Sequence, residues 1–233
     1  MSDFLYPFIE GQETDATGLL ADLASSARRK AAESAALQAS TLAELHDAIH
    51  ACGEAMARRF LDGGRLYTFG NGGSSTDAAT LAALFAQPAD GRPLPAWSLT
   101  ADQAVVTALG NDVGFDLIFS RQVIAHSRPA DIAIALSTSG NSDDLIMGLR
   151  EARKRGLLTV GFAGYDGGRM AELAAAGDLD WVFTVRSQSI HRIQESQARI
   201  GHRLWTVTQH RLTELRTGPG QPMTTATTVK GAS

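Results

Sequence analysis

Beyond its first residue, the segment Asp131 to Leu136 (Asp-Ile-Ala-Ile-Ala-Leu) carries no polar side chain, and it runs directly into Ser137-Thr138-Ser139-Gly140-Asn141-Ser142. A strand without polar alternation must be buried on both faces, which is the condition of a central strand in a parallel sheet. Few folds provide that environment. The segment therefore predicts helices on both sides of a parallel sheet, with a hydroxyl-rich turn at one strand's C-terminal end.

The rest of the chain supplies the partners. Arg65-Leu66-Tyr67-Thr68-Phe69 is a short β-type run closed by Gly70, and a helical pattern follows from Ser75 to Ala86. Leu94 to Leu99, Leu158 to Ala163 and Trp181 to Val185 read as further strands. Helical patterns occupy Asp102 to His126, the stretch after Ser142 as far as Arg155, and Ser189 to Leu215. Ahead of the first strand, Asp15 to Arg59 reads as two long helices, ended by Gly63-Gly64. Leu19, Leu20 and Leu23 lie on one stripe of them and Leu42, Leu45, Ile49 and Met56 on another. Strands and helices alternating at this spacing predict an α/β fold. Residues 1–12 are expected to form an arm and 13–216 a single domain. The Gly-, Pro- and Thr-rich residues 217–233 are expected to be a disordered tail.

Composition narrows the function classes. The 233 residues suffice for one such domain, and a content of 44% hydrophobic and 20% charged residues excludes wholesale disorder. The net charge is −4, and basic clusters occur only within helical patterns, at Arg28-Arg29-Lys30 and Arg153-Lys154-Arg155. No nucleic-acid partner is expected. Cys52 has no second cysteine with which to form a disulfide or a thiolate metal site. The N-terminus lacks the pattern of a signal peptide, and no stretch reaches about 18 uninterrupted apolar residues. The expectation is a cytoplasmic protein with no membrane partner.

Two loops carry chemistry. Gly70-Asn71-Gly72-Gly73-Ser74-Ser75-Thr76-Asp77 joins a strand to a helix. Glycines there allow a tight turn and close backbone approach, and the helix N-terminus behind them suits an anion. Ser137-Thr138-Ser139-Gly140-Asn141-Ser142-Asp143-Asp144 offers hydroxyl donors from its serines and threonine, with Ser142 also placed to cap the following helix. Neither loop has the Walker ending or the dinucleotide Gly-x-Gly-x-x-Gly spacing. Each follows a predicted strand, the place where open α/β sheets bind ligands. A phosphate held by hydroxyls and backbone N–H groups fits both.

These loops, together with Gly110-Asn111-Asp112, Gly164-Tyr165-Asp166-Gly167-Gly168 and Arg192-Ile193-Gln194-Glu195, resemble the sugar isomerase (SIS) domain family, in its phosphoheptose isomerase branch. The likeness runs from about Leu42 to Leu212. It implies a flavodoxin-like three-layer fold with a central parallel sheet, long N-terminal helices and a long C-terminal helix. It also implies a homotetramer with sites between subunits, and sedoheptulose 7-phosphate as the reference substrate. Carried over by position, Ser137, Thr138, Ser139 and Ser142 would hold the phosphate. Asn71, Gly72, Gly73 and Ser74 would meet the sugar, and Asp112 would line the site.

The resemblance breaks at the reacting end. Members of this branch place a His and a Glu four residues apart after the first loop, as zinc ligands or as acid and base, with a Gln and a His from the last helix. Here Gln194 and His202 occupy the last-helix positions, but Thr80 and Leu84 stand in the other two. Leucine neither binds a metal nor moves a proton, and Gln, His and Thr alone make a poor zinc site. The stretch between Phe85 and Arg92 is also shortened and lacks the basic residue expected there. No cofactor is therefore expected. His191, Glu195 and His202 fall near multiples of a helical turn, so a relocated base on that face is one reading. In the other, His191 merely begins the helix and Glu195 pairs with Arg192 or Arg199. Three functions stay open. One is an isomerase with a rebuilt base. Another is a non-catalytic sugar-phosphate sensor or protein-binding regulator, like the replication-initiator-associating SIS proteins. The third, a scaffold, is opposed by the two intact loops, and the balance favours a phosphosugar binder of the isomerase family.

Overall fold

The computed structural model describes residues 16–217, so the arm of residues 1–12 and the tail of 217–233, its first residue apart, lie outside the described residues. Helices α1 (Ala16–Glu44) and α2 (His46–Leu61) precede an alternating series: β1 (Leu66–Gly70), α3 (Gly73–Ala86), β2 (Ala96–Ser98), α4 (Gln103–Asp112), a 3-10 turn (Phe115–Leu117) and α5 (Ile118–His126). It continues through β3 (Ile132–Leu136), α6 (Asp143–Lys154), β4 (Leu158–Gly164), α7 (Gly168–Ala175), β5 (Trp181–Val185) and α8 (Ile190–Thr217). The strands form one sheet in the order β2-β1-β3-β4-β5, with every pairing parallel. This is the flavodoxin-like order.

Alternation along each strand sorts the core into two layers. Leu66, Ile132, Ile134 and Leu136 face Met56, Phe85, Ile200 and Leu204 from α2, α3 and α8. Phe69, Ala133 and Ala135 face Phe119, Leu149 and Met170 from α5, α6 and α7. Every residue of β3 is buried, as its unbroken apolar run predicts. Helix α1 packs along α8, where Arg192 pairs with Glu33 and Ser34 donates to Glu195. Neither Arg192 nor Arg199 is the partner of Glu195, because α1 supplies it instead.

Two elements differ from the sequence expectation. Helix α7 follows a glycine-rich motif whose sequence predicts no helix; Met170 and Leu173, three residues apart, are its buried face. Helix α3 begins at Gly73 rather than Ser75, because Gly72 at φ +53° turns the chain from strand to helix in a single step. Ser74 is thereby inside the helix and buried.

Candidate functional site

β1 and β3 are neighbours, but the chain leaves β1 through α3 toward one edge of the sheet and leaves β3 through α6 toward the other. Helix α3 belongs to one layer and α6 to the opposite one. A crevice opens where connections diverge in this way, at the carboxyl ends of the two strands. Both candidate loops border it. Two segments about 65 residues apart in sequence thus meet through the strand order alone.

The second loop uses two of its hydroxyl oxygens to hold its own backbone. Ser137 Oγ accepts from Gly140 N at 3.0 Å, and Ser139 Oγ accepts from Asn141 N at 3.2 Å. With those oxygens accepting inside the loop, both hydroxyl protons remain available to an anion. Thr138 and Ser142 commit no side-chain hydrogen bond among the described residues. The expectation that Ser142 caps α6 is not met: it occupies the cap position with φ −63° and ψ 123°, but its side chain makes no cap bond. The Asp144 carboxylate lies against the backbone N–H groups of Asp144 and Leu145 instead. Gly140 adopts φ +70°, and a Cβ there would sit 2.1 Å from the carbonyl oxygen of Gly167, so the loop closes only on glycine.

In the first loop Gly72 and Gly73 are exposed and Asn71 is half-buried, whereas Ser74, contrary to expectation, is buried in the first turn of α3 and not open to a ligand. Asn71 Nδ2 donates to both carboxylate oxygens of Asp144, at 3.0 and 2.9 Å. Helix α8 reaches the loops through two glutamines. Gln194 Nε2 donates to Asp77 at 2.9 Å and lies 2.6 Å from where a Cβ of Gly73 would stand. Gln197 Nε2 donates to the Ser137 carbonyl at 2.7 Å, while its Oε1 is buried without a partner. Burial pushes the Asp77 carboxyl above the usual carboxylate range, and the Gln194 hydrogen bond pulls it partly back.

At the reacting end, Asp77, Thr80, Leu84, Gln197 and His202 line a cavity of about 70 Å³ whose other walls include Leu81 and Leu136. The structure therefore brings Thr80, Leu84 and His202 together. Thr80 Oγ1 donates to the Thr76 carbonyl at 2.9 Å, Leu84 offers no lone pair, and the Gln194 amide is engaged by Asp77. Only the His202 imidazole and the Asp77 carboxylate are of the kinds zinc takes, and Asp77 is already bonded by Gln194, so the set falls short of the three or four ligands of a zinc site. His202 also borders a larger cavity of about 510 Å³ beside His46, His50, Arg199 and Arg203.

The remaining candidates lie elsewhere. Asp112 ends the exposed helix α4, and its carboxylate accepts from Asn111 Nδ2 at 2.8 Å. His191 is exposed in the first turn of α8 and lines none of the cavities described above. Sequence reasoning missed Asp77, Asp144 and Gln197. The acidic pair Asp143-Asp144 directly after the second loop was the available signal for one of them.

Comparison with known proteins bears on the family and the fold. The model of the SIS domain matches residues 31–164. The phosphoheptose isomerase of Aquifex aeolicus is 42% identical over 161 residues, spanning 68% of this chain and 82% of the relative. The phosphoheptose isomerase structure from Neisseria gonorrhoeae superposes with a TM-score of 0.72 at 31% identity, covering 81% of this chain and 99% of the other. That from Francisella tularensis gives 0.74 at 29% identity, covering 80% and 97%.

Proposed function

We propose, for a chain that belongs to the SIS domain family in its phosphoheptose isomerase branch, that it binds a ketose or aldose phosphate of the sedoheptulose 7-phosphate class without the zinc chemistry of the branch. The observation that carries the reading is the convergence of both loops on one crevice, with the hydroxyls of Thr138 and Ser142 uncommitted. The phosphate would rest on Ser137, Thr138, Ser139 and Ser142, with the sugar running along Asn71, Gly72 and Gly73. Gln194 and His202 would stand at the reacting end, and Asp112 would reach a site from a neighbouring subunit. Leu84, which lines the small cavity with His202, favours a binder or sensor over an enzyme.

A second reading has its own observation. Asp77 is a half-buried carboxyl with a raised pKa on the wall it shares with His202. A base poised toward neutral pH is what proton transfer between adjacent sugar carbons requires. Incubation with ¹³C-labelled sedoheptulose 7-phosphate, with and without zinc and followed by NMR, separates the two. Sugar line-broadening weakened by Ser139→Ala, without conversion, supports the binder. Conversion abolished by Asp77→Asn or His202→Ala supports the isomerase.

Association of copies is part of the proposal. Leu19, Leu20 and Leu23 on α1 are 43%, 66% and 56% exposed, apolar surface suited to burial against another subunit. Light scattering on a Leu20→Asp, Leu23→Asp variant tests the homotetramer: a smaller species is expected. No helix among the described residues is long and apolar enough to cross a membrane.

A further inference from the structure

Asn71 and Asp144 come from different loops, 73 residues apart, and meet across the crevice between β1 and β3. Asp144 is 4% exposed, in the first turn of α6. Its carboxylate stands beside the very loop that the proposed phosphate would occupy. A buried negative charge there opposes anion binding, so a neutral residue would serve phosphate affinity better. What the carboxylate does instead is visible in its bonds. Both its oxygens accept from one nitrogen, Asn71 Nδ2, at 3.0 and 2.9 Å.

That arrangement decides which end of the Asn71 amide faces where. An amide offers two donors on nitrogen and two lone pairs on oxygen, and its two orientations have nearly the same shape. An ionised carboxylate can only accept. Turning the amide over would set Oδ1 against the carboxylate, two acceptors with no proton between them. The pair therefore holds Nδ2 toward α6 and leaves Oδ1 without a partner among the described residues. Burial pushes the Asp144 carboxyl up, while Asn71 and the first-turn N–H groups stabilise its charged form.

We infer that Asp144 is a positioning residue that holds the Asn71 carbonyl as a hydrogen-bond acceptor in the crevice. The site thereby selects sugar phosphates with a hydroxyl donor at that point of the carbon chain and discriminates against the matching deoxy sugar. The inference rests on the sugar-phosphate reading above. It adds the polarity of one contact and the residue that sets it. Asn71 is half-buried, and a sugar seated in the crevice would cover its Oδ1. An acceptor covered in this way rejects a ligand lacking the donor more strongly than an apolar pocket rejects a misfit, because its lone pair is left unsatisfied.

Calorimetric titration of the full chain with inorganic phosphate, sedoheptulose 7-phosphate and its mono-deoxy analogues tests this. The variants are Asp144→Asn, Asn71→Asp and the two combined. Asp144→Asn leaves the amide free to turn over, so affinity for sedoheptulose 7-phosphate should fall about tenfold while that for inorganic phosphate does not fall. One deoxy analogue should bind the unsubstituted protein about tenfold more weakly than the parent sugar, and bind Asp144→Asn equally with it. The exchanged pair, Asn71→Asp with Asp144→Asn, restores an acceptor in the crevice and should recover most of the loss. Equal loss of phosphate and sugar phosphate, no loss at all, or failure of the exchanged pair to recover would overturn the proposal alone. Absence of sugar-phosphate binding by the unsubstituted protein would overturn the functional reading and the proposal with it.

Discussion

Gln194, on the C-terminal helix, donates from Nε2 to the Asp77 carboxylate at 2.9 Å, joining α8 to the first turns of α3. The bond stabilises the charged form of a carboxyl that burial pushes the other way, and burial prevails. Asp77 therefore binds its proton more tightly in the folded chain than in the unfolded one. Its contribution to stability is favourable in acid and is lost as pH rises from the ordinary value of 3.8 through the raised folded value. Asp77→Asn keeps the acceptor for Gln194 without the charge. It should melt higher than the unsubstituted protein at neutral pH, with the gap closing as the pH approaches that ordinary value. Thermal melts across pH check this, and a gap that widens in acid contradicts it.

Leu84 and His202 line the same small cavity, with Thr80 one helical turn before Leu84. Thr80→His with Leu84→Glu should create a zinc site from donors already held in register by α3 and α8. Zinc at a hundred times its dissociation constant would then stabilise the variant by about 2.7 kcal/mol, and leave the unsubstituted protein unchanged. Calorimetry with and without chelator reads the difference.

Ser142 stands at a helix cap position without capping. Ser142→Ala should therefore cost clearly less than the ~1 kcal/mol usual for losing a cap. If its hydroxyl serves the phosphate, the same change should weaken phosphosugar binding by about ten- to a hundredfold, since a hydrogen bond to a charged group is worth about 1.5–3 kcal/mol. Urea unfolding and titration on one preparation separate the two quantities.

Gly140 combines φ +70° with the Gly167 carbonyl 2.1 Å from where a Cβ would lie. Gly140→Ala must displace backbone that is not free to move, at a cost of about 1–3 kcal/mol from conformational strain, before any clash is added. Urea unfolding should show that loss, and phosphosugar binding should fall with it because the donors of Ser137 and Ser139 hang on this turn.

Much of the fold was legible along the chain because periodicity and turn chemistry are local. The buried run ending at Leu136, the five β-type segments and the place of both loops directly after their strands all follow from residues adjacent in sequence. Helix α7 was not legible: its apolar face is only Met170 and Leu173, and the glycines before it read as loop.

The sequence by itself determined the strands, the long helices, the glycine- and serine-rich turns and the loss of two donors at Thr80 and Leu84. Tertiary structure alone decided which side chains face one another. Asn71 meets Asp144 across 73 residues and Asp77 meets Gln194 across 117, because the strand order and the packing of α8 bring them together. No local pattern encodes such a pair. A hydrogen bond depends on ångström-scale placement, and separations of that length in the chain are closed only by the folded core.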